Sequence, residues 1–286
     1  MSLNSKVCLY LVATPIGNLG DITQRALEVL SGVDVIAAED TRHSGPLLKR
    51  YNIATHMIAL HDFNEAKCSD KIVAYLKEGK AVALISDAGS PLISDPGYHL
   101  VQKVTAEGFD VVSIPGPCAL VAALIASGLP TDRFTFAGFL PAKGVVRQKK
   151  LQQLVDDTGT IVLYESVHRI INLLELIQKL CGPERYVVVA RELTKTYETF
   201  YRDTVVNVLT YLQEHTDQIK GEFVVLIKGA IKSDDQKSKE SERFLRLLLP
   251  GLSVSKAVAI VAEISGGKRK ELYSQALLIK QELESE

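Results

Sequence analysis

Val7-Cys-Leu-Tyr-Leu-Val-Ala13 runs without a break into Thr14-Pro-Ile-Gly-Asn-Leu-Gly20, and this junction decides the fold. The first seven residues are apolar and rich in β-formers, which predicts a short buried strand. Thr14-Pro15 ends it and two glycines follow, so the next residues form a loop whose backbone can approach a ligand closely. Asp21-Ile-Thr23 then opens a helix over Gln24–Leu30, closed at Ser31-Gly32. Working outward, the same unit returns. Val33–Ala38, Ala81–Ser86 and Val111–Ile114 have strand composition, and Tyr98–Glu107 that of a helix stopped by Gly108. Strand, loop and helix repeated in this way predict an α/β layer with a largely parallel sheet.

A second α/β unit follows the helix expected at Ala119–Ser127. Phe134–Phe139, Thr160–Tyr164, Tyr186–Ala190 and Glu222–Lys228 are its strands, and Ile170–Leu180 and Val205–Gln213 its helices. Arg191–Tyr201, rich in Thr and Tyr, has the composition of an antiparallel strand. Polar residues then dominate Ile231–Glu242, which predicts a flexible linker. A leucine-rich helix (Phe244–Leu249), a Pro250-Gly251 break, a helix Val254–Ile264, a Gly266-Gly267 turn and a last helix from about Lys270 complete the chain. That outline suits a helix-turn-helix-like module or a docked helical hairpin. The expected divisions are residues 1–118, 119–230, 231–242 (linker) and 243–286.

The 286 residues carry a net charge of −1, with 47% hydrophobic and 23% charged residues. This balance supports well-filled cores and excludes a uniformly basic nucleic-acid binder, so any RNA surface must be a local patch. No run approaches the roughly 20 apolar residues of a membrane helix. The first apolar run is too short for a signal peptide, and a cytoplasmic protein is expected. Cys8, Cys68, Cys118 and Cys181 never form a CxxC, which predicts reduced thiols and no metal site.

Three Gly/Pro-rich loops each follow an expected strand: Ala13–Gly20, Ser86-Asp-Ala-Gly-Ser-Pro-Leu-Ile-Ser-Asp-Pro-Gly97 and Pro115-Gly-Pro-Cys-Ala119. Ligands of open α/β sheets collect where such strand-end loops converge. Neither G-x-G-x-x-G nor a Walker A sequence occurs, so nothing supports a nicotinamide or nucleoside-triphosphate site. Polar groups crowd other strand ends too. Glu39-Asp40-Thr41-Arg42 follows one strand, His61-Asp62-Phe63-Asn64-Glu65 a second, and Tyr164-Glu165-Ser166 with His168-Arg169 a third. Each fits either a site or an internal ion pair.

Read in order, Thr14-Pro-Ile-Gly-Asn-Leu, Ala38-Glu-Asp-Thr-Arg42, Ser86-Asp-Ala-Gly-Ser-Pro91, Pro115-Gly-Pro-Cys-Ala119, Ser127-Gly-Leu-Pro130, Gly138-Phe-Leu-Pro141 and Tyr164-Glu-Ser-Val-His-Arg169 resemble one family. It is the ribosomal RNA small subunit methyltransferase I family, a branch of the tetrapyrrole methylases. The resemblance covers roughly residues 6–230, and the helical tail is similar to that family's C-terminal extension. It implies the tetrapyrrole-methylase fold: two α/β domains with a cofactor cleft between them, plus a small helical module. It also implies S-adenosylmethionine as cofactor, 2′-O-methylation of a cytidine in the decoding region of 16S rRNA, and a homodimer.

Carried over by position, the resemblance assigns cofactor contacts to Pro15 and Ile16, to Ile85, Ser86, Asp87, Ala88, Gly89 and Ser90, and to Cys118 and Ala119. From the second domain it assigns Tyr164, Glu165, Ala190 and Arg191. Relatives have Gly-Asp-Pro where this chain keeps Asp87 but has Ala88. The Asp87 carboxylate suits a ribose hydroxyl or an ammonium, or simply an Asx turn. Methyl transfer to a hydroxyl needs in-line placement and a proton acceptor. Glu39, His61, Glu65 and Glu165 are the candidates for that role, with Asp40 and His168 beside them. Lys143, Arg147, Lys149 and Lys150 are four cations with no acid among them, and Lys268-Arg269-Lys270 form a second basic patch. Both suit phosphate contacts or plain solvated surface. A tetrapyrrole C-methyltransferase of the same fold and a non-catalytic ribosome-binding protein are the alternative readings.

Overall fold

The computed structural model describes residues 6–231 and 234–285, with the backbone alone for 234–240 and 284–285. The chain divides into two compact units at Lys228/Gly229.

In the first unit, β1 (Leu9–Val12), β2 (Val35–Ala38), β3 (His56–Ala59), β4 (Val82–Ile85) and β5 (Val111–Ile114) form a sheet of order β3-β2-β4-β1-β5. Every pair in it is parallel, as the repeating strand–helix pattern requires. Helices α1 (Gln24–Gly32), α2 (Thr41–Arg50), α3 (Glu65–Lys77) and α4 (Tyr98–Ala106) connect the strands. Side chains alternate between the two faces. Tyr10, Val12, Ile36 and Ile85 pack with Val29 and Leu30 of α1, while Leu9, Val35 and Leu84 pack with Ile72, Leu76 and Leu100 of α3 and α4. Each fully buried aliphatic contributes about 1.5–3 kcal/mol, which holds all five strand ends in fixed register.

After β5, helix α5 (Ala119–Ser127) leaves this sheet and packs on the next. Its Leu120, Ala123 and Leu124 lie against Val188, Ala190, Val224 and Leu226. The second sheet runs β6 (Phe134–Phe139), β7 (Thr160–Ser166), β10 (Glu222–Ile227), β8 (Tyr186–Arg191), β9 (Thr199–Thr204) in spatial order. Only β6 and β7 are parallel; the other pairs are antiparallel. Helices α6 (Gly144–Leu154), α7 (Ile170–Cys181) and α8 (Val205–Glu214) cover its other face. The strand expected over Arg191–Tyr201 is displaced. Residues 192–198 form turns in which Glu192 and Thr194 have positive φ, and pairing with β8 begins only at Thr199.

The second unit is three helices, α9 (Asp234–Leu248), α10 (Val254–Ser265) and α11 (Arg269–Ser285). Leu245, Leu249, Val258, Val261, Leu272 and Ile279 form its core. Gly266, at φ +67°, ends α10 in the left-handed conformation. The linker expected over 231–242 needs correction: from Asp234 onward it is helix. Its Lys, Glu and Gln residues are good helix formers, so polar composition alone does not make a linker. Residues 232–233 lie outside the described residues. Among the described residues, no helix is long and apolar enough to cross a membrane.

Candidate active site

The loops after β1, β4 and β5 are tied to one another before any side chain is considered. Thr14 and Gly89 exchange two backbone hydrogen bonds, of 2.8 and 3.0 Å. The Ser90 hydroxyl donates to the Pro117 carbonyl at 3.1 Å. Gly89 has φ +81°, and a Cβ there would sit 3.2 Å from the Ile16 methyl, so glycine lets the two loops close on each other. Together they form one wall of a cavity of about 540 Å³, with Ile16, Glu39, Asp87 to Ser90, Asp95, Cys118 and Ala119 facing it. The opposite wall comes from the second sheet: Phe139, Tyr164 to His168, Leu193 and Gly221 to Val224.

The first wall is acidic. The amide of Asp40 donates to Asp87 Oδ1 (3.1 Å), and the amide of Asp87 donates to Glu39 Oε2 (3.3 Å), which locks the ends of β2 and β4 together. Burial pushes the Glu39 carboxyl up, with the Asp87 and Asp62 charges adding to the effect. Burial likewise raises Asp95 to about 6; the Glu39 and Asp87 charges add, while the Ser86 hydroxyl favours its ionised form. Asp40 takes another part. It caps α2, and the Arg42 guanidinium and backbone amides hold its carboxyl well below the usual range.

The second wall is neutralised. Glu165 is buried, accepts hydrogen bonds from Arg147 (2.7 Å) and the Ser166 amide (2.8 Å), and is ion-paired with Arg169 at 2.8 Å. Tyr164 accepts the Leu120 amide at 3.0 Å, and Phe136 and Phe139 meet its ring edge-on. Burial raises the Tyr164 phenol above its ordinary value. Gly221 (φ +80°) turns into β10 where a Cβ would run into the Glu192 side chain.

These positions sort the sequence expectations. Ile16, Asp87, Ala88, Gly89, Ser90, Cys118, Ala119, Tyr164, Glu165, Glu39 and His168 face the cavity. Ile85 and Ser86 are buried beneath it, and Pro15 lies outside its lining. Ala190 and Arg191 do not face it. Ala190 is buried within β8, Arg191 donates to the Lys220 carbonyl (3.1 Å), and the neighbouring start of β10 takes their place. Glu65 is corrected from candidate base to helix cap: its Oε1 accepts the amides of His99 (2.9 Å) and Leu100 (3.2 Å) at the start of α4. His61 is also outside the lining, its ring edge-on to Phe63.

Arg147 is corrected as well. It is 2% exposed and bound to Glu165, so it offers nothing to phosphate. Lys143, Lys149 and Lys150 are exposed, as are Lys268, Arg269 and Lys270. Lys150 lines a second, shallow groove with Ser94 and Thr135 to Gly138. Three parts of the cavity escaped sequence reasoning: Asp95, Leu193 and the Gly221–Val224 wall. Asp95 was legible as the second carboxylate of the Ser86–Gly97 loop; the β10 wall follows from strand order and carries no local signal.

The chain matches the Tetrapyrrole (Corrin/Porphyrin) Methylases model over residues 8–208 and the RsmI C-terminal HTH domain model over residues 235–280. It is 52% identical to Ribosomal RNA small subunit methyltransferase I of Pasteurella multocida (strain Pm70), covering 94% of this chain and 96% of that one. It is 49% identical to the protein of the same name from Escherichia coli O157:H7, covering 96% of both. Among solved structures, a cobalt precorrin-4 methyltransferase superposes with a TM-score of 0.59 at 20% identity, over 78% of this chain and 95% of that one, a likeness of fold. Motif order, two-walled cavity and helical tail thus converge: the chain belongs to the tetrapyrrole methylases, and within them to the ribosomal RNA small subunit methyltransferase I family.

Proposed function

We propose that this chain methylates the 2′-hydroxyl of a cytidine ribose in the decoding region of 16S rRNA, using S-adenosylmethionine as donor and the small ribosomal subunit as substrate. The observation that carries this reading is the acidic, two-walled cavity in a chain whose relatives at about half identity are named for ribosomal RNA methylation. The residues fit a cationic adenosyl donor: Glu39 and Asp87 offer carboxylates to ammonium or ribose hydroxyls, between the apolar faces of Ile16, Leu193 and Val224. When bound, the donor supplies an electrophilic methyl group that needs no metal.

The protein's part is to hold both partners in line and keep water out. Asp87, with one oxygen fixed by the Asp40 amide, orients the donor. Ala88, Gly89, Cys118 and Ala119 bring the loops close around it. Lys143, Lys149 and Lys150 would hold RNA phosphates at the second sheet, and Lys268, Arg269 and Lys270 would do so from the helical unit. Val121 and Ile125, one turn apart on α5 and 51% and 74% exposed, support a homodimer. A cytoplasmic location follows from the substrate. The test is transfer of labelled methyl to 30S subunits, to protein-free 16S rRNA and to a porphyrinogen. Label on a 2′-oxygen of the 30S subunit supports the proposal; label on the porphyrinogen alone overturns it.

A further inference from the structure

Of the carboxylates around the cavity, all but one are engaged. Glu165 is clamped by two arginines, Glu222 is paired with Lys195 at 3.0 Å, Glu39 takes the Asp87 amide, and Asp87 takes the Asp40 amide. Asp95 has no cation or backbone amide on it among the described residues, and the neighbouring Ser86 hydroxyl donates to the Ala88 carbonyl at 3.3 Å. Its loop is also special in shape. Leu92 and Ser94, both with positive φ (69° and 73°), fold the chain back so that Asp95 turns into the cavity. Ser94 lines both this cavity and the shallow groove that carries Lys150, and its Oγ packs 3.0 Å from the position of a Cβ on Gly138. Asp95 therefore stands next to Ser94, the residue shared by the acidic cavity and the groove that carries Lys150.

We infer that Asp95 is the proton acceptor of the methyl transfer, reached by a ribose that enters along the Lys150 groove. This rests on the function proposed above. The 2′-oxygen forms its bond to the methyl carbon as the carbon–sulfur bond breaks with its electron pair on sulfur, and the hydroxyl proton passes to a carboxylate oxygen of Asp95. A carboxyl raised to about 6 is ionised at neutral pH yet more basic than an ordinary aspartate, as the task requires. The ionisable groups facing it are Glu39, Asp87 and Cys118 on its own side, and Tyr164, Glu165, His168 and Glu222 across the cavity. Of these, an imidazole is the side chain that ordinarily changes charge near neutrality, so His168→Gln is the control.

The experiment compares wild type, Asp95→Asn and His168→Gln. It measures single-turnover rates on 30S subunits against pH, the affinity for S-adenosylhomocysteine by calorimetry, and the carboxyl titration of ligand-free protein by 13C NMR. Asp95→Asn is expected to slow the chemical step by about 100-fold or more while binding S-adenosylhomocysteine within twofold of wild type. The acid limb of the rate profile and a carboxyl titrating near pH 6 should both vanish with it, and both should persist in His168→Gln. A retained rate, or a loss confined to affinity, overturns the assignment and makes Asp95 a ligand anchor or a bystander. If the wild type labels no 2′-oxygen, the proposed function fails; absence of a ligand-free carboxyl near pH 6 overturns the Asp95 assignment separately.

Discussion

The two walls of the cavity carry similar numbers of acids and treat them oppositely. On the second sheet, Glu165 is the more buried carboxylate, yet two guanidinium groups and an amide satisfy it, and it behaves as framework. On the first, Glu39 and Asp95 are only part-buried, no cation is paired with either among the described residues, and desolvation raises both. Burial alone therefore does not mark a reactive group. What distinguishes the walls is whether burial comes with a counter-charge.

The sharpest way to break this contrast is to strip the framework side of its partner. Arg147→Ala leaves Glu165 buried with half its compensation, and an unfolding free energy lower by about 3–5 kcal/mol is expected in a urea titration. A change below 1 kcal/mol would make the pair ornamental. On the other wall, Asp87→Ala should weaken S-adenosylmethionine binding by about 1.5–3 kcal/mol, read by calorimetry, and lower stability by about 1 kcal/mol because the Asp40 amide loses its acceptor. Asp95 should do the reverse to stability. A carboxyl raised in the folded state lowers stability progressively as pH climbs from about 4 to about 6, and that loss persists above it. Asp95→Asn should then stabilise the protein at pH 7–8 by about 1–2 kcal/mol, reduced from the full effect because the group is partly open to solvent, and the gain should shrink towards pH 4. The smallest effect concerns the exposed cations. Lys149→Ala with Lys150→Ala should flatten the salt dependence of RNA binding by a slope of about 1–2, and the buried Arg147 contributes nothing to that slope.

Which parts were legible in the sequence follows from where the information resides. Apolar β-rich runs such as Val7–Ala13 announce their strands, and Gly/Pro loops behind them announce the ligand end of the sheet. Helix α2 contains Gly45 and Pro46, both poor helix formers; the Asp40 cap and the burial of Leu48 override them. The basic run at 143–150 looked uniform, yet helical geometry turns Arg147 inward and leaves Lys143, Lys149 and Lys150 outside. Glu65 looked like a site residue because it follows a strand, when its geometry serves the α4 amides. Tyr164 and Glu165 of the second wall were legible, but its other part was misplaced by one strand, to Ala190-Arg191, because neighbours in an antiparallel sheet are set by pairing partners far along the chain.

That pairing has a consequence for synthesis. β10 lies between β7 and β8, so until residues 222–227 leave the ribosome the growing chain has two unpaired inner strand edges. The same strand supplies Gly221 to Val224, the last part of the cavity. A nascent chain therefore cannot assemble a finished pocket early, and a product cut short before β10 would be both inert and prone to stick to its neighbours. Competence to bind and competence to fold arrive together, with one late strand.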